Sequence, residues 1–487
     1  MLLTLALACT SAPGTGDSAP APDITLTAAP AFDPLAGPAL TWTLSGEDAK
    51  ADAPGEIRGE DGEVVRSKVL PALGWDGKDD DGKYVGTGTY TLAVGAEERE
   101  RTAPVALVRA GVLAAYAEDD DGVTATRVPL YWHQKRHTQD LDDPFVTVEA
   151  IDDASGVVVL PAVGEGLNVP ATDAAEPVAY PYDSRPIVSL TLGATSTLGA
   201  AHLGDVPLHL SIPGWTVLGD TPLADGAVVT LQKDEPLGTT LGVSEEPLVA
   251  TVSATDDAGT AWPVATIEVP WRAYRLLGPP TFEQTDDERY NPWVAAVDPA
   301  LRALEGTTPT HDATLDALVR WVFEDGGLSY DTVSGASAYT VYVQGDWARA
   351  NFQMTSFLSR KFGLTVNCTD CAGIMVSYGN MLGAEVDYAI IGWNFNLDYI
   401  LAIGGTEFDH CPFGDYGCGF SYHAVTTDID NALIWDATLA LDGDEDPTSL
   451  PSTERLVQSV PSDEYLERLV LPPTTASYVY QAQGTLQ

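Results

Sequence analysis

Three scarcities bound this chain before any motif is read. Only five of its 487 residues are cysteine, too few for a fold built on disulfides, so its domains must be held by packing. Basic residues are scarce too: 24 Lys and Arg stand against 71 Asp and Glu, a formal charge of −47, and only seven of the 24 are lysine. Such a surface repels nucleic acid and anionic membranes wherever salt does not screen it, which makes polyanions poor partners. The acidity is spread along the chain rather than gathered in a tail, the pattern of a solvated exterior. Nowhere does the chain approach the ~20 uninterrupted apolar residues of a membrane-spanning helix, so any membrane attachment must come from the N-terminus. A length of this order suggests about three or four domains at ~100–200 residues each.

Residues 1–23 form a leader: an apolar start reaching Cys9 in L-A-L-A-C, then a Pro/Ser/Gly/Ala tether. This resembles a bacterial lipoprotein signal, and the resemblance implies lipid on Cys9 and an exported protein, at the outer membrane or cell surface, or otherwise secreted. Residues 24–104 alternate short β-prone runs with turns, and W-D-G-K-D-D-D-G-K-Y-V-G-T-G-T-Y-T-L-A-V resembles the terminal hairpin of the Ig-like module of flagellar-hook capping proteins. The likeness implies a fold, not a flagellar role. Asp79–Asp81 do not make a calcium loop, because setting Gly82 at the sixth position puts Gly77 where an EF-hand needs a carboxylate. Residues 105–275 continue as β runs and suit one or two further β-sandwiches. His133 and His137 lie four apart there, but in strand and loop patterns with no third ligand near, which favours packing or surface roles.

Apolar spacing shifts toward helix near Leu277, so a domain over 276–470 is expected, with 471–487 as a tail. Ala313–Phe323 places Leu315, Leu318, Val319 and Val322 on one face, and Trp347–Phe362 reads as a second amphipathic stretch. From Cys368 to Leu382, Cys368, Cys371, Met375, Tyr378 and Leu382 recur at three- and four-residue steps, an apolar helix face that ends at Gly383. A cysteine at a helix start faces unpaired N–H groups and the positive end of the dipole, which favours its thiolate.

Downstream, S-Y-H-A-V-T-T-D and A-L-I-W-D-A-T flank an Asp/Asn turn and read as a hairpin. A symmetric two- or four-residue loop sets His423 directly opposite Asp436, with Val425, Ala432 and Ile434 on the same face as an apolar floor for the helix. Cys368 would then meet a base, His423, and an orienter, Asp436.

These residues, C-T-D-C-A with glycine fifteen positions on, then H-A-V, then W-D-A-T, resemble the transglutaminase-like superfamily of papain-type cysteine enzymes over roughly residues 310–440. The resemblance implies a multidomain chain, with all-β Ig-like or β-sandwich modules followed by an α+β transglutaminase-like domain. Its nucleophile would be Cys368, its general base and acid His423, and Asp436 would fix the imidazole tautomer. It also implies a protein or peptide substrate, attacked at an amide carbonyl, and no metal or organic cofactor. Trp347 and Gln353 are candidate oxyanion donors beside the Cys368 N–H. Val425 stands where the family usually carries tryptophan, Asn367 precedes the cysteine, and Ala-Glu rather than Ile-Pro follows Gly383.

Other readings stay open. Cys368 and Cys371 are also compatible with an ordinary core helix, and the four downstream cysteines with His410 are numerous enough for zinc, although Cys411 and Cys418, bracketing P-F-G-D-Y-G, suit a short disulfide loop better. The triad could serve hydrolysis or transamidation, and an inactive surface scaffold or adhesion lipoprotein would keep the same fold.

Overall fold

A computed structural model describes residues 24–107, 111–118, 177–193, 208–219, 227–281 and 292–486, with breaks at 34–36, 47–48, 84, 86–87, 96–99, 257, 344–345, 414–416, 429–432, 443–447, 450–455 and 483–484, plus short pieces between 128 and 159. Cys9, His133, His202 and Ala432 lie outside the described residues.

β-Strand dominates the N-terminal half because its apolar residues alternate. In Leu248–Thr255 every second residue is buried and those between are not, the signature of a sheet with one face inward. The first module carries a five-stranded sheet built from residues 31–32, 101–107, 88–94, 55–58 and 64–69. Trp75 fills its core, 5.2 Å from both Phe32 and Tyr90, and donates its indole N–H to Lys78 O. The acidic turn beside it is tied locally: Asp79 accepts from the Lys83 N–H and Asp80 from the Ser67 N–H and hydroxyl.

The second module faces a five-stranded sheet, centred on Ile187–Gly193, with a three-stranded sheet of 208–211, 248–255 and 261–269. Leu190 and Leu231 from one sheet meet Ala250 and Val252 from the other in one core spanning residues 115–273, apart from Ala31. Both N-terminal modules are thus Ig-like β-sandwich in character.

Among the described residues, the chain leaving this sandwich is packed against the C-terminal part. The strand Ala273–Leu276 is buried throughout; Ala273 belongs to the sandwich core, whereas Tyr274 and Leu276 belong to the next one. Arg275 pairs with Glu305 at 2.8 Å, and Arg272 and the Tyr274 hydroxyl both reach Asp298 on the helix Val294–Ala303. The chain beyond then docks on the helix Cys368–Leu382: the N–H groups of Leu277 and Gly278 bond Leu382 O, and that of Thr281 bonds Asn380 O.

The C-terminal part is a helix laid on a six-stranded sheet. Its order is 400–402, 433–441, 419–428, 386–396 and 477–482, with 456–461 also pairing to 433–441. Residues 477–482 are therefore a sheet strand rather than a tail. The stretch from Trp347 is likewise not helical: Asp346–Phe352 is a strand, followed by a five-residue helix, Met354–Leu358. The expected helix over Ala313–Phe323 is His311–Arg320, prolonged by a π turn to Asp325. The short helix near the end is Ser462–Leu469.

A larger departure concerns the cysteine helix. The periodic reading gives it one apolar face, yet all fifteen of its residues are buried. Sheet, first helices and the docked linker surround it, so it is a central helix, and its small residues serve close approach. A Cβ on Gly373 would come within 2.9 Å of the Phe352 ring, and one on Gly379 within 2.9 Å of Val386.

Candidate active site

Cys368 is the first residue of the central helix, and the residues around it explain why the helix starts there. Asn367 is the cap: its side-chain oxygen accepts the Asp370 N–H at 3.0 Å while the Asp370 carboxylate accepts the Asn367 N–H at 3.3 Å, a reciprocal capping box. The same carboxylate takes the N–H groups of Ala338 and Tyr339 at 2.7 and 2.9 Å, and Asn367 donates to Gly335 O. Burial still raises the Asp370 pKa despite those bonds. The asparagine that departs from the family pattern is thus a helix cap.

His423 and Asp436 come from adjacent strands, Gly419–Asp428 and Leu433–Leu441. Their pairing differs from the expected one. Thr426 faces Trp435 and Thr427 faces Ile434, two residues away from the register that would set His423 opposite Asp436. A shift of two keeps both on one face, so they become diagonal neighbours, still within reach of each other. His423 Nε2 lies 2.9 Å from Asp436 Oδ2, with both side chains buried. Residues 429–432, between the two strands in the chain, lie outside the described residues.

The carboxylate is fully engaged. Its Oδ1 accepts the Thr438 N–H at 2.7 Å, and its Oδ2 also accepts the Tyr465 hydroxyl at 2.8 Å. With Nε2 committed to Asp436, the other imidazole nitrogen, Nδ1, is buried and makes no conventional hydrogen bond. Cys368 lies near enough to this imidazole to help raise its pKa. Burial would depress the His423 pKa, but the Asp436 charge and hydrogen bond, with Cys368, outweigh it and push the group up to about 9. The imidazole is further held by Phe420, stacked on it at 4.7 Å and 9°.

Cys368, 3% exposed, sits in the wall of a cleft of about 240 Å³. The walls are largely aromatic. Tyr330 lies 5.3 Å from Phe413, and Phe413 lies 5.1 Å from Phe420. Tyr330 is brought to the cysteine by parallel pairing of Ser329–Tyr330 with Thr365–Val366, two residues upstream of Cys368. Burial, and then Cys368 beside it, raise the Tyr330 pKa, so its hydroxyl stays protonated. Tyr422, also in the cleft wall, reaches Thr369 at 3.2 Å and packs edge-on to the exposed Trp393. Phe413 rides on a loop closed by the Cys411–Cys418 disulfide, so those two sulfurs bind each other rather than a metal. Among the described residues no group of three or more His, Cys, Asp or Glu is arranged to hold a metal ion.

The second cysteine of the helix is different in kind. Cys371 is fully buried, away from the cleft lining, and its pKa is raised well above the ordinary value, chiefly by burial, with the Thr438 hydroxyl pulling the other way. Of the two oxyanion candidates, the Trp347 side chain lies outside the described residues. Gln353 bonds Tyr339 O through its N–H, precedes the Met354 helix and is not part of the cleft wall.

The site therefore has the geometry of a cysteine, histidine and carboxylate group opening on an aromatic cleft. No protein-family model and no curated protein matches this chain. Among solved structures, it is similar to the BSP domain of a biofilm-associated protein (12% identity over 50% of this chain and 29% of that one, TM-score 0.13), to a chimeric titin Z1Z2 tandem (10%, 52% and 99%, 0.13), and to invasin, a bacterial integrin-binding protein (14%, 51% and 39%, 0.13). The chain spans less than a third of the biofilm-associated protein. At these TM-scores the likenesses say nothing about the chemistry at Cys368.

Proposed function

We propose that this chain is an exported, transglutaminase-like cysteine acyl-transfer enzyme acting on protein or peptide amide bonds. The observation that carries the reading is one convergence: Cys368 at a capped helix start in the cleft wall, and His423 with Nε2 on Asp436 and Nδ1 buried without a hydrogen-bond partner. In this mechanism the Cys368 thiolate, paired with the His423 imidazolium, attacks a carbonyl carbon. The developing oxyanion takes a hydrogen bond from the Cys368 N–H at the helix start, beside the sulfur. Collapse of the tetrahedral species passes the His423 proton to the leaving amine and leaves a thioester on Cys368. Water or a primary amine then enters, with His423 as base, and restores the thiol.

Export is supported by the Cys411–Cys418 disulfide, since such bonds persist in oxidising compartments. A lipid on Cys9 would tether the chain to an outer membrane or cell surface. Among the described residues no helix is long and apolar enough to cross a membrane.

The test uses an activated acyl ester such as p-nitrophenyl acetate and reads the intact mass. An acyl adduct mapped to Cys368, absent from Cys368→Ala and released faster by an added primary amine, is the transamidase outcome; release at a rate indifferent to amine is the hydrolase outcome. A folded wild-type protein that forms no adduct on Cys368 leaves a scaffold and overturns the enzyme reading.

A further inference from the structure

The third partner of Asp436 comes from outside the triad, on the last helix of the domain. Tyr465, fully buried, donates its hydroxyl to Asp436 Oδ2 at 2.8 Å, the same oxygen that receives His423 Nε2 at 2.9 Å. We infer that Tyr465 is a positioning residue of this site, sharing Asp436 Oδ2 with His423 and so limiting how tightly the carboxylate holds the imidazolium proton. This rests on the proposed acyl-transfer function for its purpose, but not for its measurement.

The physical argument is one of shared charge. A carboxylate oxygen that already accepts a strong hydrogen bond has less negative potential to offer a second donor, and hydrogen bonds to ionised groups are the strong ones. The Tyr465 hydroxyl is a dependable donor: burial, with the Asp436 charge next, raises its pKa well above the ordinary value, so it stays protonated at every pH of interest. The groups that face this carboxylate are few. They are His423 from the neighbouring strand, Cys371 from the central helix, Tyr465 from the last helix and Tyr478 from the sheet edge, with Cys368 acting on His423 and Tyr465. Tyr478 is likewise held protonated, mainly by burial. His423 is the one cation paired with Asp436 among the described residues.

The consequence concerns proton transfer. An imidazolium held near 9 is already a reluctant acid at neutral pH, and an unshared Asp436 would make it more so. Tyr465 would thus keep His423 able to protonate a leaving amine, while Thr438 N–H on Oδ1 keeps the carboxylate from swinging away.

The test is the imidazole titration of His423 in the full chain, followed by NMR with 13C-labelled histidine and assigned through His423→Ala. Tyr465→Phe removes the hydroxyl and keeps the buried ring. The expected result is a rise of the His423 midpoint by about half a unit to one unit, with the thermal transition still cooperative. In an Asp436→Asn background the same Tyr465→Phe change should move the midpoint by far less, because the shared charge is gone. An unchanged or lowered midpoint in Tyr465→Phe, or an equal rise in the Asp436→Asn background, overturns the inference and leaves Tyr465 as core packing. The titration needs no substrate and no reactive thiol. Failure of acyl transfer at Cys368 therefore leaves this result standing, and an inert Tyr465 leaves the acyl-transfer reading standing.

Discussion

At its N-terminal end the central helix is closed by side chains, Asn367 and Asp370, and opens beside a cleft; at its C-terminal end it is closed by backbone, the N–H groups of Leu277, Gly278 and Thr281 from the chain leaving the β-sandwich. Side-chain caps satisfy part of a helix start and leave the Cys368 N–H facing the cleft side of the helix for a reacting oxygen. The backbone cap bonds the carbonyls of Asn380 and Leu382. Gly383 shows how tight that end is, with φ at +92° and a Cβ position 2.5 Å from the Gly278 carbonyl oxygen. One end is arranged for chemistry and the other for anchorage, and the two cysteines repeat the contrast one turn apart.

Changes at each end should separate these roles. The largest effect belongs to the nucleophile: Cys368→Ala should abolish acyl-adduct formation outright, and Cys371→Ala should leave adduct formation intact while lowering the melting temperature. Any adduct on the Cys368→Ala protein removes the mechanism. Next, His423→Ala should slow Cys368 alkylation at neutral pH by about a hundredfold while the domain still unfolds in one transition. At the anchored end, Gly383→Ala should cost roughly 2–4 kcal/mol of stability in a denaturant titration, from the left-handed backbone and the collision with Gly278 together. A loss under about 0.5 kcal/mol would mean that the linker is not docked there. Asn367→Ala should cost about 1 kcal/mol by the same measurement.

A separate effect is the pH dependence carried by His423. Its folded pKa is raised from the ordinary 6.5 to about 9, so its contribution to stability is complete below about 6.5 and is lost as pH rises through 9. Wild-type stability should decline across that window relative to His423→Ala; parallel curves would contradict the assigned pairing.

Much of the site is legible in the sequence, for reasons that also mark where legibility stops. Cys368 can be placed at a helix start because the apolar spacing begins with it and Gly383 ends it. His423 and Asp436 can be placed on one face because strand alternation survives a slip of two residues, even though the pairing at Thr426 and Trp435 differs from a symmetric hairpin. Total burial of the helix cannot be read from its own periodicity, since it depends on a linker and a sheet distant in the chain. Phe420 is three residues from His423, which in a regular strand means opposite faces; an irregularity between Gly392 and Phe395 in the neighbouring strand accompanies its turn onto the imidazole. Tyr465 carries no local signal at all, because nothing in S-D-E-Y-L-E-R-L points to a carboxylate 29 residues earlier. That residues 477–482 join this sheet cannot be read for a similar reason: edge pairing to Val386–Asn396 is a property of the sheet, not of that segment.

The most direct test of the central claim is the pH dependence of iodoacetamide alkylation, mapped separately to Cys368 and Cys371 in wild type and His423→Ala. The account predicts fast labelling of Cys368 well below the ~8.5 of a free thiol, lost in His423→Ala, with Cys371 unlabelled in the folded protein. Equal, slow labelling of both cysteines, or a Cys368 rate indifferent to His423, would contradict it and leave the helix as a core element of a scaffold.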